Sequence, residues 1–338
     1  MAQTNKRKTV VRYDRIIAVA VIFIILIVLL VSCITSCGGD NSTGDSSSGK
    51  DNSVVSTDPA SGTPGSTDPS GTDSTASVDP TGYKTAAMDA EAVYTGDLVV
   101  VNKDHEYHFP DNEDNLVSIY QNKLSTYQAK DWDTLLDKRV IEQFNALMEG
   151  YYNSTHNVDI MVISGYRSKA AQESMNKSKS SDVAAGYTEY HTGLNFNLGI
   201  FPKGKSSYYY KPEGDYKWIS DNMPAYGFIL RYPEDKDSVT GTKGSTYKFR
   251  YVGVPHAAYM TENSLCLEEY LEQLKSYTLQ QPLDYETGGK SYRIYYVPAA
   301  KSGSTDVSVP TDKEYSISGN NMDGFIVTVA VSYTHLRA

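Results

Sequence analysis

Glu189-Tyr190-His191-Thr192-Gly193-Leu194-Asn195-Phe196-Asn197 (E-Y-H-T-G-L-N-F-N) is the stretch on which the reading of this chain turns. From Thr192 to Ile200 it predicts a strand with Gly193 at its start. Upstream, Val158 to Ser164 (V-D-I-M-V-I-S) predicts a central strand that ends in Gly165-Tyr166-Arg167-Ser168, with a helix carrying Gln172 after Ser168. Before it, Asp133 can cap a helix in which Val140, Phe144, Leu147 and Tyr151 share one apolar face. Further back, Asp97 to Val101 reads as a short buried strand followed by a polar loop with His105 and His108. Downstream, Trp218 to Tyr226 predicts a short helix and Gly227 to Tyr232 a strand. Phe249 to Val252 is a further strand, stopping at Gly253, with Pro255 suited to the first position of a helix. Leu267, Tyr270, Leu271 and Leu274 give the segment from Leu265 to Tyr277 one apolar side.

The ends have a different texture. Residues 1–15 carry Lys6, Arg7, Lys8, Arg12 and Arg15 against Asp14, and residues 16–31 then run without a charge or a helix breaker. Residues 16–37 are accordingly expected to cross a membrane or to serve as a lipoprotein signal, with the basic segment 1–15 in the cytoplasm and the rest outside. Length favours a retained anchor, because the apolar stretch of a cleavable signal is about 7–15 residues. Leu30-Val31-Ser32-Cys33 and Ile34-Thr35-Ser36-Cys37 nonetheless resemble bacterial lipobox sequences, so both forms of attachment stand. Either makes this a cell-membrane protein with a single tether and an extracytoplasmic C-terminal domain. Residues 38–82 are Ser, Thr, Gly, Asp and Pro with almost nothing large and apolar, and read as a disordered linker. Its mean reach is about 35–40 Å for a flexible coil.

The net charge of −10 is split unevenly: the first fifteen residues contribute +4 and the remainder −14, which argues against a nucleic-acid partner. Of three cysteines, only Cys266 lies beyond the N-terminal region, so the folded part has neither an internal disulfide nor a cysteine metal site. Cys266 itself reads as a small buried apolar residue. From Asp284 onward the pattern becomes strands, at residues 292–297, around Ile317 and at residues 325–329. This small all-β subdomain, residues 281–330, is too short for a secure core of its own and is expected to pack on the main domain, residues 83–280. Residues 331–338 continue no pattern and resemble translated sequencing adapter, a non-native tail that would take His335 with it.

Three segments in order resemble the VanY-type D-alanyl-D-alanine carboxypeptidases, the zinc enzymes that trim the terminal D-alanine of peptidoglycan stem peptides. They are S-G-Y-R-S with Gln172; E-Y-H-T-G-L-N-F-N; and G-F-I-L-R-Y-P with Thr240-Gly241 and F-R-Y-V-G. The likeness implies an α+β fold of the DD-carboxypeptidase and hedgehog-like kind, mainly antiparallel, with the β-rich C-terminal extension added. In the family the second segment reads S-E-H-x-T-G-L-A-x-D, its His and Asp binding zinc. Aligned on Thr192-Gly193-Leu194, these positions hold Tyr190 and Asn197. His191 lies one residue late, which in extended backbone turns it to the opposite face. The third segment reads E-P-W-H-F-R-Y-V-G, with Glu as general base and His as the third ligand; here Ser245 and Lys248 take those places.

A phenol, an amide and an ammonium group are poor zinc ligands, and without a carboxylate at position 245 no base is present, so neither a metal cofactor nor catalytic residues are expected. His256 lies beyond the Gly253 stop and is expected to face elsewhere. His105, His108 and His156 read as solvated surface. Ser245 and Lys248 spell S-T-Y-K, but the stretch leads into a strand, so a serine peptidase is not expected. What the resemblance leaves is the peptide-binding half of the cleft, with Arg167, Ser164, Ser168 and Gln172. Arg167 could equally pair with an acid and fix its loop. Among 28 tyrosines, Tyr208-Tyr209-Tyr210 is the cluster expected to touch a ligand.

The expected function is a membrane-tethered pseudo-carboxypeptidase that binds peptidoglycan stem peptide or a wall-associated protein. The alternatives are an active carboxypeptidase with an unconventional site and a structural envelope adaptor with an inert cleft.

Overall fold

A computed structural model describes residues 82–331. The basic segment, the anchor or signal, the linker up to residue 81 and the tail from residue 332 lie outside the described residues. Gly82 and Val331, assigned above to linker and tail, take part in the fold: the Gly82 carbonyl accepts from Thr311 N (3.0 Å), and Val331 pairs with Ser291.

The first part of the chain forms β1 (Tyr83–Met88), β2 (Leu116–Ser118), α1 (Ile119–Asn122), β3 (Gln128–Ala129), β4 (Leu135–Asp137) and α2 (Lys138–Thr155). Then come β5 (Ile160–Ser164), α3 (Lys169–Lys177), β6 (Asn195–Ile200), β7 (Tyr208–Tyr209), α4 (Lys217–Asn222) and β8 (Phe228–Leu230). The last part holds α5 (Asp237–Thr240), β9 (Lys248–Tyr251), α6 (Val254–Glu262) and α7 (Leu267–Leu274). It ends in β10 (Leu283–Thr287), β11 (Lys290–Pro298), β12 (Thr305–Pro310), β13 (Tyr315–Gly319) and β14 (Gly324–Val331).

The central sheet has the order β3-β5-β6-β9-β8, with β7 against β6, and all its pairs are antiparallel except β3 with β5. Strand β6 shows why one face is core and the other is site. Its alternation places Phe196, Leu198 and Ile200 in the apolar cluster under α2, and Asn195 and Asn197 on the opposite face. Helix α2 answers with Val140, Ile141, Phe144, Leu147, Met148 and Tyr151, all buried. The Phe144 ring stands edge-on to Phe196 at 4.9 Å and to Phe228 at 6.3 Å, tying the helix to β6 and β8.

Asp133 does not cap α2. Residues 135–137 are held extended by pairing with β2, so the helix starts at Lys138 and Asp137 is its cap, accepting from Arg139 N at 2.9 Å. Residues 97–101 do not form a strand either. The run is buried, as an apolar run should be, yet its polar backbone is satisfied outside any ladder. Leu98 N donates to Ser318 Oγ (3.0 Å) and Val100 N to Asn320 O (3.2 Å), while the Asp97 and Val99 carbonyls accept from Arg250 Nη2 (3.1 and 2.7 Å).

The second sheet, β10-β11-β14-β13, packs on the main domain as expected, with Leu283, Ile294 and Ile326 joining Ile229, Met260, Tyr270 and Leu274 in one apolar cluster. Strands β10 and β12 escaped the sequence reading. So did the partner of β12, which is β1, so this ladder crosses the division drawn at residues 280 and 281.

Candidate functional site

The polar face of the central sheet builds the site. Asn197 on β6 stands opposite Lys248 on β9, and on its other side opposite Ser164 at the end of β5, so three polar residues lie in a row across three strands. Residues 189–192 form a 3-10 turn rather than extended backbone, closed by Gly193 at φ 70°. The turn projects Tyr190 over the row, and the Tyr190 hydroxyl donates to Asn197 Oδ1 at 2.6 Å. Burial pushes the Tyr190 phenol up to about 12, so it remains a protonated donor at neutral pH.

Arg167 closes the next side. Its guanidinium lies 4.7 Å over the Tyr190 ring, and Nη1 donates to Gln172 Oε1 at 2.7 Å. No carboxylate among the described residues pairs with it, which removes the loop-fixing ion pair considered above. Lys248 Nζ lies 5.8 Å from the Tyr232 ring centre and 6.0 Å from that of Tyr247. Burial, and secondly the charge of Arg167, holds the Lys248 ammonium below its ordinary value; burial likewise lowers Arg167. These groups open on a cleft of about 810 Å³ lined by Arg167, Tyr190, Tyr209, Tyr232, Tyr247 and Lys248. Tyr209 stacks on Tyr247 at 4.2 Å, whereas Tyr210 is core, so the tyrosine triplet contributes its middle ring to the cleft wall.

Other predicted residues are occupied elsewhere. Ser168 Oγ accepts from Ala171 N at 3.2 Å as the cap of α3. Gln172 is fully buried; besides holding Arg167 it donates to Ser181 Oγ (3.0 Å) and Val183 O (2.5 Å), bracing the loop on the cleft rim. Both position Arg167 and its surroundings, and neither is among the residues that line the cleft. Ser164 Oγ is buried without a hydrogen-bond partner. Ser245 is buried as well, accepting from Tyr247 N at 3.4 Å and making no hydrogen bond with Lys248, so the S-T-Y-K spelling assembles no nucleophile and base.

His191 turns away from the row, as expected, although the reason is the 3-10 turn and not strand alternation. Its Nδ1 meets Arg167 O at 2.5 Å and its Nε2 accepts from Gly186 N at 3.0 Å, and burial lowers its pKa. His256 is buried between Tyr270 Oη (2.7 Å) and Thr328 Oγ1 (3.0 Å), far from any ligand role. His108 stacks on Tyr94 at 3.4 Å, and His156 closes the C-terminus of α2. Cys266 is buried at the start of α7, its thiol pushed up to about 11 by burial. Among the described residues no group of three or more His, Cys, Asp or Glu side chains could hold a metal ion.

Behind the row lies an ionic cluster to which sequence reasoning assigned no role. Glu189, directly before Tyr190, pairs with Arg231 (2.8 Å) and Arg250 (3.2 Å) and accepts from Asn195 Nδ2 (2.9 Å). Arg231 also forks onto Glu268 with two contacts of 2.7 Å. Burial works against the Arg231 charge, but Glu189 and Glu268 outweigh it and raise its pKa; Arg250 has weaker compensation, and burial lowers it. The available signal was a lone arginine inside each of two apolar strand runs, G-F-I-L-R-Y and F-R-Y-V-G.

The sequence model of the VanY family, D-alanyl-D-alanine carboxypeptidase, matches residues 133–254, a span that includes every residue of the row. A D-alanyl-D-alanine carboxypeptidase of Enterococcus faecium is 33% identical over 252 residues, 73% of this chain and 80% of that protein. VanXYC of Enterococcus gallinarum, a bifunctional D-Ala-D-Ala dipeptidase and D-Ala-D-Ala carboxypeptidase, is 27% identical over 184 residues, 52% of this chain and 94% of that one. Among solved structures, the vancomycin-resistance D,D-dipeptidase VanXYg, in complex with a D-Ala-D-Ala phosphinate analogue, is similar with a TM-score of 0.64 and 30% identity. That likeness covers 74% of this chain and 99% of VanXYg. By its motifs, its fold and the extent of these matches, the chain belongs to the VanY family of D-alanyl-D-alanine carboxypeptidases.

Proposed function

We propose that this VanY-family domain binds the end of a peptidoglycan stem peptide without hydrolysing it. The observation that carries the reading is the Tyr190 hydroxyl bonded to Asn197 beside Lys248, with no imidazole or carboxylate in the row. A zinc ion needs about three His, Cys, Asp or Glu ligands and an open position. This donor set does not fit it. The phenol is neutral and its proton is engaged, the Asn197 carbonyl already accepts that proton, and an ammonium repels a dication. Ser245 supplies no carboxylate to take a proton from water. The cleft itself keeps the arginine and aromatic walls that can hold a peptide, and the VanXYg neighbour carries a D-Ala-D-Ala analogue. We place the domain outside the cell, tethered through residues 16–37, because a charge-free run follows a cluster of basic residues.

The test takes the full chain. Metal analysis after zinc addition should find far less than one ion per chain, and a pentapeptide ending in D-Ala-D-Ala should give binding heat but release no D-alanine. Stoichiometric zinc together with D-alanine release would establish the active carboxypeptidase instead, and the absence of heat at millimolar peptide would remove the ligand. Protease added to intact cells should digest the domain; protection from it would overturn the outward placement.

A further inference from the structure

Arg167 and Lys248 share one cleft, and among the described residues neither forms an ion pair with a carboxylate. Among the described residues the Arg167 guanidinium donates to a neutral amide, that of Gln172, and Lys248 contacts the faces of Tyr232 and Tyr247. Glu189, the acid of the ionic cluster whose charge reaches Lys248, is already committed to Arg231, Arg250 and Asn195. Lys103, also in the lining, pairs with Asp104, and Asp182 in the lining forms no ion pair with either cation. Two like charges thus face a partly dehydrated space with aromatic walls, and among the described residues no protein anion is paired with either. Such an arrangement is unfavourable until an anion enters, and aromatic faces offset only part of the cost.

We propose that Arg167 and Lys248 form a receptor for a ligand carboxylate, the free C-terminal group of a short peptide, with the Lys248 ammonium supplying positive charge beside Asn197 where zinc does not fit. The inference rests on the proposed peptide binding and names the group that is recognised. The guanidinium offers a planar fork that one carboxylate can bridge, and the ammonium adds a rotatable point charge from β9. The Asn197 amide, whose oxygen takes the Tyr190 proton, has its nitrogen left to donate.

The experiment titrates the full chain with one pentapeptide in two forms, with a free C-terminal carboxylate and with a C-terminal carboxamide. The acid is expected to bind more tightly by about ten- to a hundredfold, the range of a charge-assisted contact. Lys248→Met should shrink the ratio of acid to amide affinity towards one, and Lys248→Arg should restore it. Equal binding of the two forms by the unaltered chain would overturn the carboxylate receptor while leaving peptide binding intact. Failure of both forms to bind would overturn the functional reading and the receptor with it. Because the acid and amide are compared on the unaltered chain, the inference stays decidable even if the Met variant does not fold.

Discussion

Glu189 is the residue whose removal should be felt most. Its carboxylate lies between the guanidinium groups of Arg231 and Arg250, whose side chains are 0% exposed, and no water can replace it there. Taking away one member of a buried ionic cluster leaves the others charged and unpaired, at a cost of about 3–5 kcal/mol. Glu189→Gln, which keeps the shape and an acceptor for Asn195, is therefore expected to lower stability by about that amount. Urea denaturation followed by circular dichroism would measure it, and a change below about 1 kcal/mol, the worth of an exposed pair, would show that the cluster does not anchor this region. The same residue shows how structure and site share parts: Glu189 fixes the turn from which Tyr190 reaches Asn197.

At the scale of the element, the passage from the 3-10 turn into β6 depends on Gly193. Its φ of 70° lies in the left-handed region, and a Cβ there would collide with Leu116 Cδ2 from β2. Gly193→Ala should cost roughly 1–2 kcal/mol from backbone strain alone, with the side-chain clash adding to it. Because the turn carries Tyr190, the substitution should also weaken the Tyr190–Asn197 contact. Denaturation midpoints, and the ultraviolet titration of the buried phenol, would report the two effects. An unchanged midpoint would mean that the turn can relax without cost.

Across the whole molecule, the early and late parts of the described chain are joined by more than contact between apolar faces. Strand β1, at the beginning of the described chain, pairs with β12, and His256 on α6 links Tyr270 of α7 to Thr328 of β14. Burial pushes His256 down to about 3, below its unfolded value of about 6.5. The folded state therefore prefers the neutral ring. This contribution is fully present above about pH 6.5 and is lost as pH falls from there towards 3, by up to about 5 kcal/mol if the unfolded value holds. Stability measured by urea between pH 7 and pH 4.5 should fall in the native protein and fall less in His256→Gln. Parallel slopes in the two proteins would remove His256 from the acid response. His191, also lowered by burial, is unchanged between them and cancels in the comparison.

Much of this molecule is legible in the sequence. The strands about Thr192–Ile200 and Gly227–Tyr232, the helix after Ser168 and the apolar faces of α2 and α7 follow from side chains a few residues apart, where period and turn chemistry act. Residues 97–101 mark the edge of that legibility. Their composition foretold burial, but a ladder needs a neighbouring strand, and the chain supplies Arg250, Ser318 and Asn320 instead. Chain convergence also settled the pairing of β1 with β12, the seating of Glu189 between two arginines, and the roles of Ser168 and Gln172 as braces for the Arg167 region. The division has one physical cause: periodicity is a property of neighbours along the backbone, whereas the partner of a buried charge or an open strand edge is selected by whatever distant segment folding brings within hydrogen-bond reach.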